Sequence, residues 1–106
     1  MNAQISKGRD GWEAKTTIDM GADSRVLIVS THKTTGGMVT SAMVNKRDGA
    51  FLTWDMFGDF NKRTVYKGVR CTEKAVRDLH QQALDSIEQT LAAAAAHYAA
   101  KEGVAA

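Results

Sequence analysis

Residues 38–57 read MVTSAMVNKRDGAFLTWDMF. Through 38–46 the side chains alternate between two faces, and a period of two residues is typical of a β-strand. Asp48-Gly49 then interrupts the pattern, and glycine readily takes the positive φ that a tight hairpin turn requires. A further apolar run follows at 50–57. The stretch therefore predicts two antiparallel strands, 38–46 and 50–57, joined by a tight turn at Asp48-Gly49.

The same kind of pattern extends the sheet on both sides of this hairpin. Residues 12–20 alternate between apolar and polar side chains, and residues 25–32 form a largely β-branched run. Residues 63–67 predict a short fifth strand, or a continuation of the fourth strand after a bulge. We therefore expect an antiparallel meander of four or five strands within residues 10–67. Residues 1–9 show no periodicity, and we expect a flexible N-terminal tail there.

From Thr72 onward the apolar period changes from two residues to 3.6, which indicates a helix. Thr72 is a plausible N-cap because its hydroxyl can accept a hydrogen bond from a free amide. We expect one helix over residues 72–102, about 45 Å long. The apolar stripe of this helix consists of Val76, Leu79, Ala83, Ile87, Leu91, Ala94 and Tyr98. The predicted fold class is α+β: an antiparallel four- or five-stranded β-meander followed by one long C-terminal α-helix (ββββα), in a single domain over residues 1–106.

Composition narrows the class of protein. The chain has 106 residues, of which 43% are hydrophobic and 25% are charged, and these fractions are ordinary for a globular protein. No apolar run approaches the ~20 residues that a transmembrane helix needs. The first residues contain no apolar signal segment, and a single cysteine, Cys71, fits a reducing compartment. We therefore expect a cytoplasmic protein that does not associate with a membrane.

Positive charge is concentrated in one stretch. The net charge is only +2, but residues 62–77 hold six Lys and Arg residues and a single acid, Glu73. Aromatic rings lie within and beside this stretch, and single-stranded nucleic acid is held by cations on phosphates and rings against bases. The predicted nucleic-acid site is Lys62, Arg63, Lys67 and Arg70 on phosphates, with Tyr66 or Phe60 stacked on a base. The alternative is a solvated basic surface, with the same rings in the core.

Two features predict a homodimer. A helix of about 45 Å is longer than a globule of this size is wide, and the expected strands are apolar on both faces although one helix covers only one of them. The predicted helix–helix seam consists of Ile87, Leu91, Ala94, Ala95 and Tyr98. The alternatives are a frayed Ala-rich helix end, and a second sheet face covered by the N-terminal segment, by a ligand or by curling of the sheet.

The residues that usually carry chemistry form no recognisable set. His80 and His97 share one side of the predicted helix but lie ~25 Å apart along it, too far to share a metal ion. Asp55 and Asp59 flank a turn and are best explained as turn residues. Cys71 is best explained as a small buried residue at a strand–helix junction. We therefore predict no catalytic residues, no metal site and no cofactor.

The junction Tyr66-Lys-Gly-Val-Arg-Cys-Thr72 resembles a known family. A curved antiparallel sheet, a Lys-Gly-aliphatic junction, a hydroxyl cap and a helix are similar to transcriptional positive cofactor four and the related whirly proteins. The matching positions are Lys67, Gly68, Val69 and Thr72. The resemblance implies a dimer made through helices and sheets, with single-stranded DNA lying across basic, aromatic strands. This sequence departs from the family in its longer helix and in lacking an aromatic- and proline-rich strand connection.

Two functions are consistent with these observations. The first is a non-enzymatic homodimeric nucleic-acid-binding protein that holds single-stranded DNA on a basic sheet edge. The alternative is a small protein-binding adaptor or inhibitor, of the kind that phages and plasmids encode, which uses an apolar sheet face. The directions in which the six cations of 62–77 point distinguish the two functions. Convergence of the cations on one groove favours nucleic acid, and ion pairs with Asp55, Asp59 and Glu73 favour a protein partner.

Overall fold

The computed structural model describes residues 3–21, 25–48, 51–54 and 60–104. An antiparallel sheet packs against two C-terminal helices, which confirms the α+β class, within extents of 47 × 27 × 24 Å. The elements are β1 (Gln4–Gly8), β2 (Gly11–Asp19), β3 (Arg25–Thr34), β4 (Gly37–Asp48), β5 (Phe51–Trp54), β6 (Asn61–Lys67), α1 (Glu73–Asp85) and α2 (Ile87–Val104). None of the described helices is long and apolar enough to cross a membrane.

The sheet is a meander in which β4 is shared by two short strands. Strands β1 to β5 follow one another in the order of the chain, and β6 also pairs with β4. The end of β4 pairs with β5, where Asp48 lies opposite Phe51. The beginning of β4 pairs with β6, where Gly37 lies opposite Lys67. Strands β5 and β6 therefore pair one after the other with the same edge of β4.

The expectation of a flexible tail over residues 1–9 was wrong for residues 4–8. These residues form β1, which pairs with β2 so that Ile5 lies opposite Ala14. Ile5 packs against a core cluster beneath α1, and the Lys7 ammonium lies 5.7 Å from the centroid of the Trp12 ring. The sequence hid this strand because Ile5 is its one large apolar residue.

The expectation of one uninterrupted helix over 72–102 was also wrong. Thr72 caps α1 as predicted, since its hydroxyl accepts a hydrogen bond from the Ala75 amide at 3.0 Å. At Ser86, however, both the backbone N–H and the hydroxyl donate to the Ala83 carbonyl oxygen, each at 3.3 Å. Serine competes for backbone hydrogen bonds in this way, which interrupts a helix. The chain then resumes as α2 and continues to Val104.

The break at Ser86 allows α2 to lay its apolar stripe on the sheet. Ile87, Ala94 and Tyr98 are buried in one cluster with β3 and β4 residues, and Leu91 packs against that cluster. The exposed fraction is 0% for Ala94 and 4% for Tyr98. The assignment of these four residues to a dimer seam is thereby corrected, because they fill the core of their own chain. The fifth predicted seam residue, Ala95, is exposed.

The apolar side chains of β3 on the outward side of the sheet are also buried within one chain. Leu27 and Val29 point into the helix-side core, so Val26 and Ile28 point the other way. Val26 nevertheless has an exposed fraction of only 1%, and Ile28 is buried as well. Both arguments for a dimer are thus met by a single chain, and homodimerisation stays a prediction that neither argument now supports.

Candidate functional site

Strand β6 distributes the predicted nucleic-acid-binding residues over two faces of the sheet. Lys62 lies opposite Ala42 and Tyr66 opposite Met38, so both point to the side that carries the helices. Arg63 and Lys67 alternate with them and point to the other side. In the described part of the chain β6 pairs with β4 alone, which leaves the second edge of β6 open.

The six cations of residues 62–77 fall into two groups. On α1, Arg77 contacts Glu73 at 3.0 Å, and Lys74 contacts Asp78, which raises the pKa of Lys74 through a hydrogen bond and then through the opposite charge. The other four form no ion pair with any residue that the structure describes, and all four are exposed. We call them the β6 strip: Lys62, Arg63, Lys67 and Arg70.

The β3–β4 hairpin adds a cation that the sequence did not indicate. Lys33 and Arg70 line one recess of about 320 Å³ beside the end of β6, together with Gly36 and Gly37. The Gly68 amide donates to the Gly36 carbonyl oxygen at 2.8 Å, and a Cβ at Gly37 would overlap the Tyr66 carbonyl oxygen. This close approach of hairpin and strand depends on Gly37, and the Gly36-Gly37 pair was the only feature of the sequence that could have indicated it.

A second concavity, the β6 cleft, lies between β6 and the junction of the two helices. Its volume is about 170 Å³. Apolar side chains from β3, β4 and α2 contribute to its lining, and hydroxyl, amide and ammonium groups supply the rest. The lining residues are Val29, Thr40, Ser41, Ala42, Lys62, Thr64, Tyr66, Gln82, Ala83, Ser86, Ile87 and Thr90. Two predicted site residues, Lys62 and Tyr66, therefore meet residues of α1 and α2 that the sequence did not connect with them.

The polar groups of the β6 cleft differ in what they can still bind. The Thr90 hydroxyl donates to the Ser86 carbonyl oxygen, and the Ser86 hydroxyl donates to Ala83, so both retain acceptor capacity only. Lys62, Thr64 and Gln82 side chains are exposed and make no hydrogen bond to a residue that the structure describes. The cleft therefore offers a ligand both donors and acceptors.

Behind the cleft, a buried polar network joins α1 to three strands. The His80 Nε2 atom lies 2.7 Å from the Thr16 hydroxyl, and its Nδ1 atom lies 2.9 Å from the Thr31 hydroxyl. Thr31 in turn lies 3.0 Å from Thr40, which lines the cleft. His80 has an exposed fraction of 1%, and burial lowers the pKa of its ring. The network anchors one wall of the cleft, and it was not predicted from the sequence.

Phe60 does not stack on a ligand in this arrangement. Its half-buried ring packs against the core beneath α2, with its centroid 5.9 Å from that of the His97 ring. The prediction that Phe60 could stack on a base is therefore corrected. Tyr66 packs partly against the core beneath α1 and also lines the β6 cleft, so it is the aromatic candidate that reaches a concavity.

No metal-binding group of three or more His, Cys, Asp and Glu residues occurs within the described ranges. Asp55 and Asp59, weighed above as turn residues, lie outside those ranges. The Cys71 thiol is half-buried and donates to the Trp12 carbonyl oxygen at 3.3 Å.

Comparisons with protein-family models, with curated proteins and with solved structures find no match for this chain. The resemblance to transcriptional positive cofactor four and the whirly proteins therefore stays a prediction.

Proposed function

We propose that this protein binds single-stranded nucleic acid, without acting as an enzyme, and that the β6 strip holds the phosphates. The observation that carries the proposal is the contrast between paired and unpaired cations. Lys74 and Arg77 are matched by acids on their own helix, whereas the β6 strip has no ion pair within the described residues. A cation without an ion pair can bind a phosphate without losing an existing interaction.

The geometry of β6 supports a linear polyanion as the ligand. Lys62 and Lys67 lie about 17 Å apart along an extended strand that rises about 3.3 Å per residue. Arg70 follows in the loop, and Lys33 lies at the same recess as Arg70. The cations thus lie along one open sheet edge, on both of its faces, and this spread suits a chain of phosphates better than a single compact anion.

A salt titration tests this proposal. If the four cations of the β6 strip each neutralise one phosphate, log affinity for a labelled single-stranded DNA falls with log salt at a slope of about −3. Arg63→Gln removes one contact and reduces the magnitude of the slope by about 0.7. The matched control is Lys15→Gln, an exposed cation on β2, which leaves the slope unchanged. Absence of binding to any single-stranded oligonucleotide at low salt contradicts the proposal.

One observation favours the protein-binding alternative. Val65 has an exposed fraction of 52% and lies on the open edge of β6. Exposed strand edges can accept an extended segment of another protein as an additional strand. A photoreactive residue in place of Val65 distinguishes the two functions, with Thr17 of β2 as the control position. Covalent protein adducts specific to position 65 support an adaptor or inhibitor, and nucleic-acid adducts there support the first proposal.

Homodimerisation is tested separately, since nucleic-acid binding by the β6 strip requires only one copy. Sedimentation equilibrium at micromolar concentration measures the mass directly. A mass of 11.5 kDa, that of a single chain, contradicts the dimer prediction.

A further inference from the structure

We propose that the β6 cleft is a pocket for one pyrimidine base of the bound strand. This inference rests on the proposed function, because it requires a nucleic acid held along β6. The volume of about 170 Å³ is close to the ~150 Å³ cavity that accommodates a benzene-sized ring. One six-membered ring therefore fills the cleft, whereas the fused rings of a purine would extend beyond it.

The chemistry of the lining matches a base better than a free anion. Val29, Ala42 and Ile87 supply apolar lining that a ring can contact. The edge of a pyrimidine carries both donors and acceptors, and the cleft supplies both kinds of group. Lys62 is the one cation among the lining residues, so the cleft provides little to hold an inorganic anion by charge alone.

The hydrogen-bonding groups are placed on two walls of the cleft. The Gln82 amide on α1 and the Thr64 hydroxyl on β6 can each donate and accept. Ser86 and Thr90 have committed their hydroxyl protons to backbone carbonyls, so their free lone pairs accept from an exocyclic amino group or a ring N–H. These two walls can therefore contact both polar edges of a single inserted ring.

Lys62 connects the cleft to the β6 strip. It lines the cleft, and it is also the first cation of the strip along β6. A base inserted in the cleft consequently has its own phosphate next to Lys62, while neighbouring phosphates continue toward Lys67 and Arg70. The strip supplies affinity that is independent of sequence, and the cleft supplies a preference for one class of base.

Base preference tests the inference. We expect the protein to bind an all-pyrimidine oligonucleotide about tenfold more tightly than an all-adenine one of equal length, as expected for one well-held base. Thr64→Phe places a ring at the mouth of the cleft and abolishes this preference while leaving the salt slope intact. Thr17→Phe is the matched control, since Thr17 is an exposed strand residue remote from the cleft, and it retains the preference.

A second variant, Gln82→Ala, tests the pocket independently in case Thr64→Phe fails to fold. Gln82→Ala removes an exposed amide from a helix surface and reduces the pyrimidine preference, whereas Gln89→Ala, also exposed on a helix, does not. Equal affinity for the two oligonucleotides, or a preference unaffected by both cleft variants, overturns the pocket but leaves salt-dependent binding by the strip in place. Absence of binding to either oligonucleotide at low salt overturns the pocket and the proposed function together.

Discussion

Helix α2 buries its apolar stripe against the sheet, whereas nearly all side chains of β6 are exposed to solvent. Both elements carry residues that the sequence assigned to contacts with other molecules. On α2 those residues pack into the core of the same chain, and on β6 the cations are exposed and form no ion pair with a described residue. The difference shows that an apolar stripe packs against the apolar surface of its own chain, while charged side chains on a strand edge can stay in solvent.

The largest effect expected from this comparison concerns the two tyrosines. Tyr98 on α2 is buried and lies beneath the Arg25 guanidinium, 4.0 Å from its ring centroid. Tyr98→Ala therefore lowers the free energy of unfolding by about 3–5 kcal/mol, as for other buried aromatic residues. Tyr66→Ala on β6 lowers it by less, because Tyr66 is only half-buried. Urea denaturation compares the two, and equal losses would remove the distinction between the elements.

Substitution of two neighbouring alanines is expected to change stability by less, and each alanine serves as a control for the other. Ala94 is fully buried against the sheet and Ala95 is exposed, although both lie in the same run of alanines. Ala94→Leu overpacks the core and destabilises the fold by about 1–3 kcal/mol. Ala95→Leu changes stability by no more than about 0.5 kcal/mol. Destabilisation by both, or dissociation of a dimer by either, would restore α2 as a surface between subunits.

The His80 network makes the docking of α1 sensitive to pH. Burial lowers the pKa of His80 in the folded protein, so as the pH falls below about 6.5 the unfolded chain binds the proton first. The free energy of unfolding therefore decreases from neutral pH until the folded-state pKa is passed. Denaturation near pH 7.5 and pH 5.5 measures the change, and His80→Gln removes this contribution while His32→Gln retains it. A free energy of unfolding that rises on acidification would contradict the lowered pKa of His80.

Much of the fold could be predicted from the sequence, because apolar and polar residues alternate along the strands and the apolar residues of the helices form a regular stripe. Strand β1 was not predicted because it contains a single large apolar residue, Ile5. The break at Ser86 was not predicted because the apolar stripe continues across it. Only the hydrogen bonds to Ala83 reveal the interruption. The regular stripe then suggested an overhanging helix, whereas α2 in fact packs its apolar residues against the sheet of the same chain.

The candidate site was predictable only where it is local in sequence. The cations of β6 are close together in the chain, and strand alternation already separates Lys62 from Arg63. Lys33 reaches the recess of Arg70 through the pairing of β4 with both β3 and β6, which no local pattern encodes. The cleft likewise requires α1 and α2 to meet β6, and its volume exists only in the folded chain.

The smallest effect on stability is expected for the β6 strip itself. Lys67 and Arg70 are exposed and unpaired within the described residues. Lys67→Gln combined with Arg70→Gln therefore changes the free energy of unfolding by no more than about 0.5 kcal/mol for each substitution. Thermal denaturation provides the measurement. A large loss of stability would mean that these cations are structural, and would remove the contrast with α2.

The role of the β6 strip in binding phosphates is tested by comparing two double variants with the same change in charge. Lys67→Gln with Arg70→Gln removes two cations that form no ion pair with a described residue, and Lys74→Gln with Arg77→Gln removes the two that are paired on α1. In a salt titration with single-stranded DNA, we predict that the first variant reduces the magnitude of the log–log slope by about 1.4, from about 3. The second variant leaves the slope unchanged. Equal losses of slope from both variants, or a loss from the α1 pair alone, would contradict the account.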